Sequence, residues 1–188
     1  MSLKNDLVRV IREKSYREGD FTLASGQKSK FYIDMKATTL DPEGADLLGR
    51  FAVEVLEKYG RESGRKIEGV GGLTLGADPI ATAVSLSAYR SGTRWPAFIV
   101  RKEAKGHGTG QYVEGKENLR PGAQVIVLED VVTTGGSSVK AIERLRGEGY
   151  TPVAVLTVVD REAGGEEAFK KMGVDFLSLV KLSDLRSK

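Results

Sequence analysis

The residues best suited to chemistry lie in one run, from Val125 to Ser138, reading VIVLEDVVTTGGSS. Four apolar residues lead to two acids, Glu129 and Asp130, and these to a turn of hydroxyl residues and glycine. Backbone N–H groups at the start of a helix attract phosphate. Val131, Val132, Thr133, Thr134, Gly135, Gly136 and Ser137 are the candidates for such a cradle. Gly135 and Gly136 let the backbone approach closely because they lack Cβ. Thr133, Thr134, Ser137 and Ser138 add hydroxyl donors. Phosphate alone requires no acids, whereas carboxylates beside a phosphate suit a partner with hydroxyls, such as a ribose ring. An ordinary strand, turn and capped helix explains any one of these features, but not the whole run.

A second group is cationic. Arg101, Lys102, Lys105 and His107 stand among three glycines, Gly106, Gly108 and Gly110. Glycines make such a segment flexible, and cations let it close on a polyanion and exclude water. A solvated charged loop is the plain alternative. The stretch Gly71 to Gly76 has the glycine spacing of a P-loop, but Ala77 and Asp78 stand where Lys and Ser/Thr are needed. Arg161 follows an apolar run ending at Asp160, and a guanidinium can grip a carboxylate with two parallel N–H bonds.

These groups need elements to hold them. Asp41 and Pro42 read as the N-cap and first residue of a helix that Gly60 closes. Strand-like runs are Ile67–Val70, Phe98–Val100, Val125–Leu128 and Val153–Val159, with helices over Pro79–Tyr89 and Ser137–Arg146 between them. Alternation of this kind predicts an α/β fold with a central parallel sheet flanked by helices. The unbroken apolar run Val125–Leu128 suits a strand buried on both faces. Residues 1–40 break the rhythm. They read as an amphipathic helix over residues 1–14 and two short strands, Phe21–Leu23 and Phe31–Asp34, expected to form a small hood over the ligand edge.

Composition narrows the class. At 188 residues the chain suits a single domain, residues 1–188, large enough to bury a core unaided. It has no cysteine and one histidine, which excludes disulfides and Cys-based or multi-His metal sites and fits a cytoplasmic protein. No apolar run approaches the ~20 residues that span a bilayer. A net charge of +3 is too slight to imply nucleic acid.

The run from Val125 to Ser137 resembles the phosphoribosyl diphosphate (PRPP) signature of the type I phosphoribosyltransferases. The sequence RKEAKGHG from Arg101 to Gly108 is similar to the loop of the orotate branch of that family. The FTLASGQKS segment from Phe21 to Ser29, with the aromatics and Asp34 after it, resembles that branch's N-terminal hood. The resemblance implies the type I phosphoribosyltransferase fold and transfer of the phosphoribosyl group of PRPP to orotate, giving orotidine 5'-monophosphate and diphosphate in pyrimidine biosynthesis.

It also implies roles for individual residues. Glu129 and Asp130 hold the ribose hydroxyls, and the Thr133–Ser137 turn holds the 5-phosphate. Thr74, Leu75 and Gly76 form the diphosphate loop, where some family members carry a lysine and this chain has none. Arg101, Lys105 and His107 serve the partner's site in a homodimer, and Lys102 its own. Lys28, Tyr32, Ile33, Thr133 and Arg161 bind orotate, with Arg161 on its carboxylate. Lys105 and Asp130 carry the catalysis, and Mg2+ is bound mainly through PRPP. A purine or uracil phosphoribosyltransferase would share the PRPP strand without needing the cationic loop or Arg161. A PRPP-sensing regulator would keep the fold and lose the chemistry, but this chain leaves no room for a DNA-binding domain.

Overall fold

The computed structural model describes residues 2–22, 28–104 and 111–186. Lys105 and His107 lie outside the described residues, as do Leu23 to Gln27. Helix α1 (Leu3–Lys14) begins at Ser2, whose hydroxyl accepts from the Asn5 amide. It buries Leu7, Val10 and Ile11 completely, so this helix is part of the core. Strands β1 (Tyr16–Thr22) and β2 (Lys28–Ile33) pair antiparallel as a separate hairpin. A short helix α2 (Lys36–Thr39) follows, then the long α3 (Pro42–Ser63). Asp41 caps α3 by accepting from the amides of Glu43 and Gly44. Gly60 does not close it. The helix runs on to Gly64, which takes a left-handed φ of 69°. Tyr59 is the reason: its ring is buried and its hydroxyl donates to Asp175, so helix is needed on both sides of it.

Six strands form the main sheet: β3 (Gly69–Leu73), β4 (Ala97–Val100), β5 (Val113–Glu114), β6 (Gln124–Val132), β7 (Thr151–Asp160) and β8 (Asp175–Lys181). Their order is β5-β4-β3-β6-β7-β8, all parallel except the edge pair β4–β5. The sequence reading ended the first strand at Val70, yet β3 continues through two glycines to Leu73. A Cβ on Gly72 would lie 2.0 Å from the Leu128 carbonyl oxygen, so glycine is what lets this strand sit so close to β6. Strands β5 and β8 were not anticipated.

Helices α4 (Ala77–Arg90), α5 (Gly136–Gly147), α6 (Gly165–Lys171) and α7 (Leu182–Arg186) complete the chain. Side-chain alternation along β6 divides the core in two. Ile126 and Leu128 pack with α1, α3 and α4, through residues such as Leu48, Leu56 and Ile80. Val125 and Val127 pack with Ile142 and Leu145 of α5 and Phe169 of α6. The chain winds one way from β3 to β4 and the other from β6 to β7. The crevice between the carboxyl ends of β3 and β6 is therefore the topological switch point, where open α/β sheets bind ligands. Among the described residues no helix is long and apolar enough to cross a membrane.

Candidate active site

Parallel strands deliver their carboxyl ends to one edge, and the candidate residues follow those ends in spatial order. Arg161 leaves β7, the Thr133–Ser137 turn leaves β6, Thr74–Gly76 leaves β3, and Arg101 with Lys102 leaves β4. Sequence order is different, so the sheet itself lines these groups up.

At the end of β6, Glu129 is 7% exposed, and its Oε2 accepts from the Ser138 hydroxyl at 2.8 Å. Ser138 is itself buried. It braces the acid, and is not one more donor on the phosphate turn. Burial is the main cause that pushes the Glu129 carboxyl up to about 7, and the neighbouring Asp130 charge adds to it. Asp130 turns the other way. Its Oδ1 accepts from the Val131 amide at 2.9 Å, and its carboxylate lies against Gly76. A Cβ on Gly76 would stand 2.8 Å from that oxygen, so the absence of a side chain there lets the diphosphate loop and the acid pair meet.

Val131 and Val132 direct their side chains into the two halves of the core, so only their backbone faces the edge. Gly135 has a left-handed φ of 82° and forms the N-cap of α5. Glu129, Thr133, Thr134, Gly136, Ser137 and Lys140 surround a cavity of about 370 Å³. Lys140, one turn into α5, adds a cation that the sequence reading passed over.

In the β3 turn, the Thr74–Leu75 peptide is cis. The Thr74 amide donates to Val100 O, and its hydroxyl donates to Asp78 at 2.7 Å. Both Thr74 donors are thus engaged within the fold. Leu75 and Gly76 supply the turn's other backbone amides. Beyond β4, Arg101 pairs with Glu114 at 3.0 Å, and its amide closes onto Tyr112 O.

The surroundings of Arg161 are assembled from distant segments. The Arg161 amide donates to Val132 O at 2.9 Å, fixing this residue directly beside the phosphate turn. Its guanidinium lies 4.6 Å from the centre of the Phe31 ring, with that of Arg186 5.5 Å from the same ring. Burial lowers the Arg161 guanidinium below its usual value, and among the described residues no carboxylate pairs with it. A partly desolvated cation without an acid partner is a place for an anion.

Residues in β2 alternate faces. Phe31 and Ile33 pack toward the core, while Tyr32 is 45% exposed and tilts against Phe21. The side chains of Tyr32 and Ile33 therefore do not share one wall, and Phe31 is the aromatic beside Arg161. Lys28 begins β2 opposite Thr22, the last residue of β1, and donates to its hydroxyl. Among the described residues no group of three or more acids and histidines gathers into a cage for a metal. The hard oxygens of Glu129 and Asp130 suit a cation whose other ligands are substrate phosphates.

Comparison with known proteins gives the same reading. The phosphoribosyl transferase domain matches residues 38–178. The orotate phosphoribosyltransferase of Nostoc sp. is 46% identical over 187 residues, covering 100% of this chain and 87% of that protein. The crystal structure of Mycobacterium tuberculosis orotate phosphoribosyltransferase with Fe(III) dicitrate superimposes with a TM-score of 0.83 at 35% identity, covering 99% of this chain and 100% of that one. The same enzyme with PRPP gives a TM-score of 0.79 at 34% identity, covering 98% and 99%.

Proposed function

The chain belongs to the phosphoribosyl transferase family, and from that premise we propose that it transfers the phosphoribosyl group of PRPP to orotate, releasing orotidine 5'-monophosphate and diphosphate. The observation that carries the choice of base is Arg161, a partly buried cation with no carboxylate partner among the described residues, one strand from the acid pair. Breaking the C1–O bond of PRPP leaves positive charge on the ribose and negative charge on diphosphate. Catalysis is therefore charge stabilisation by prepositioned groups.

Glu129 and Asp130 accept from the ribose hydroxyls, and Asp130 faces the developing cation. The amides and hydroxyls of the Thr133–Ser137 turn hold the 5-phosphate. The Leu75 and Gly76 amides, with Lys105, Arg101, Lys102 and His107, receive the diphosphate. Mg2+ would be held mainly by the phosphates of PRPP and would supply neutralisation of their charge. Arg161 takes the orotate carboxylate beside Phe31, with Lys28 and Tyr32 further out on the hairpin.

The proposed assembly is a homodimer with shared sites. The apolar residues Leu75, Leu86 and Tyr89, exposed on and before α4, support it by offering a face for a second copy. Residence in the cytoplasm belongs to the same proposal, and cell fractionation checks it. Turnover with PRPP and, in turn, orotate, uracil, adenine and hypoxanthine tests the function. Orotate should be the substrate. Equal or better turnover of another base would overturn the reading.

A further inference from the structure

Helix α5 starts at the phosphate turn, and its other end reaches the cationic segment. Arg144 and Glu148, four residues apart and so on one side of the helical turn, face the stems of that segment. The Arg144 fork donates to two successive carbonyls, Arg101 O and Lys102 O, each at 2.7 Å. The same guanidinium lies 4.5 Å from the centre of the Tyr112 ring, on the returning stem. Glu148 Oε1 accepts from the amides of Tyr112 and Val113, at 2.5 and 3.0 Å. Outgoing carbonyls and incoming amides are thus gripped by opposite charges from one helix. The grip surrounds a cavity of about 620 Å³ that includes Tyr112, Lys116, Arg144 and Glu148.

None of these contacts is needed to close the sheet, since Arg101 N already donates to Tyr112 O at 2.8 Å. A planar fork bridging two adjacent carbonyls fixes the direction in which the Arg101 and Lys102 side chains leave the backbone.

We propose that Arg144 and Glu148 are positioning residues for the reaction: they set the backbone from which Arg101 and Lys102 reach the diphosphate, and tie it to the helix that holds the 5-phosphate. The inference rests on the reading of Arg101 and Lys102 as diphosphate contacts. A misplacement of about 1 Å in such groups can cost on the order of 100-fold in rate.

The test compares Arg144→Met, Arg144→Lys, Glu148→Ala and Arg101→Ala, all as full-length protein. Arg144→Met should lower kcat/KM for PRPP by roughly 10- to 100-fold, mainly through kcat. Ribose 5-phosphate, which has no diphosphate, should bind to it as to wild type. Amide exchange should quicken at residues 101–104 and 111–114 in Arg144→Met and Glu148→Ala. Arg144→Lys should recover part of the rate, because an ammonium reaches one carbonyl and not two. If Arg101→Ala is impaired while Arg144→Met turns over normally, the positioning role is wrong. If Arg101→Ala is itself fully active, the diphosphate reading beneath it fails instead. A fall in melting temperature with normal kcat would make Arg144 a structural residue and overturn the proposal.

Discussion

Between Glu129 and Ser138 a single stretch of chain supplies acids, hydroxyls and backbone amides, all held by one buried strand and the helix after it. The proposed base side draws instead on Phe31 from the hairpin, Arg161 from β7 and Arg186 from α7. The first region is local in sequence. The second exists only once the chain has folded. A site bound to the strand that defines the fold can keep its PRPP chemistry while the base pocket changes around it. The two halves should therefore respond separately to substitution.

On the PRPP side a large effect is expected at Asp130. Asp130→Asn removes the charge facing the developing ribose cation and should lower kcat by about 10²- to 10³-fold. Mixing that subunit with Lys105→Ala subunits should restore about a quarter of wild-type activity after full exchange. Half of the dimers are then mixed, and each has one intact pair of ribose pocket and partner loop. No recovery after verified exchange would mean that Lys105 acts within its own subunit.

A smaller effect is expected from pH. The Glu129 carboxyl is raised to about 7 against an ordinary 4.5, so the folded protein holds a proton there that the unfolded chain has lost. Its contribution to stability is fully present below about 4.5, declines as pH rises to about 7, and is constant above. Binding hydroxyls or a substrate-borne cation requires the ionised form. Affinity for PRPP should therefore rise with pH, by up to about tenfold per unit from this group, and level off above about 7. Calorimetry in buffers of different ionisation enthalpy should show a proton released on binding near pH 6. Glu129→Gln should abolish that proton while leaving the part due to the substrate's own phosphates. Equal proton release in both proteins would show that Glu129 is already ionised.

The same contrast explains what could be read from the sequence. The β6 run was legible because strand, acids and turn are contiguous, and each residue's job depends on its immediate neighbours. Arg161 was legible only through its resemblance to the orotate enzymes, since a lone arginine after a strand carries no local signal. Phe31 was missed, though strand alternation separates Tyr32 from Ile33 and places Phe31 on the inward face. Ser138 looked like one more phosphate donor, because only packing turns its hydroxyl toward Glu129. Gly60 was taken as a helix end where the buried Tyr59 carries the helix on to Gly64. Arg144 and Glu148 carried no signal in the sequence. Their partners are backbone groups about 35 to 43 positions away in sequence, which no periodicity reveals.

The central claim is that PRPP and the base are read by separate parts of one edge, and Arg161→Ala tests it most directly. Losing a charge-assisted pair in a closed pocket is worth roughly 2–5 kcal/mol, or about 30- to several-thousand-fold. With orotate varied, kcat/KM should fall within that range, while direct titration should give a PRPP affinity close to wild type. Normal orotate kinetics would place the carboxylate elsewhere, with Lys28 the next candidate, and an equal collapse of PRPP binding would show that the two halves are one structure and contradict the account.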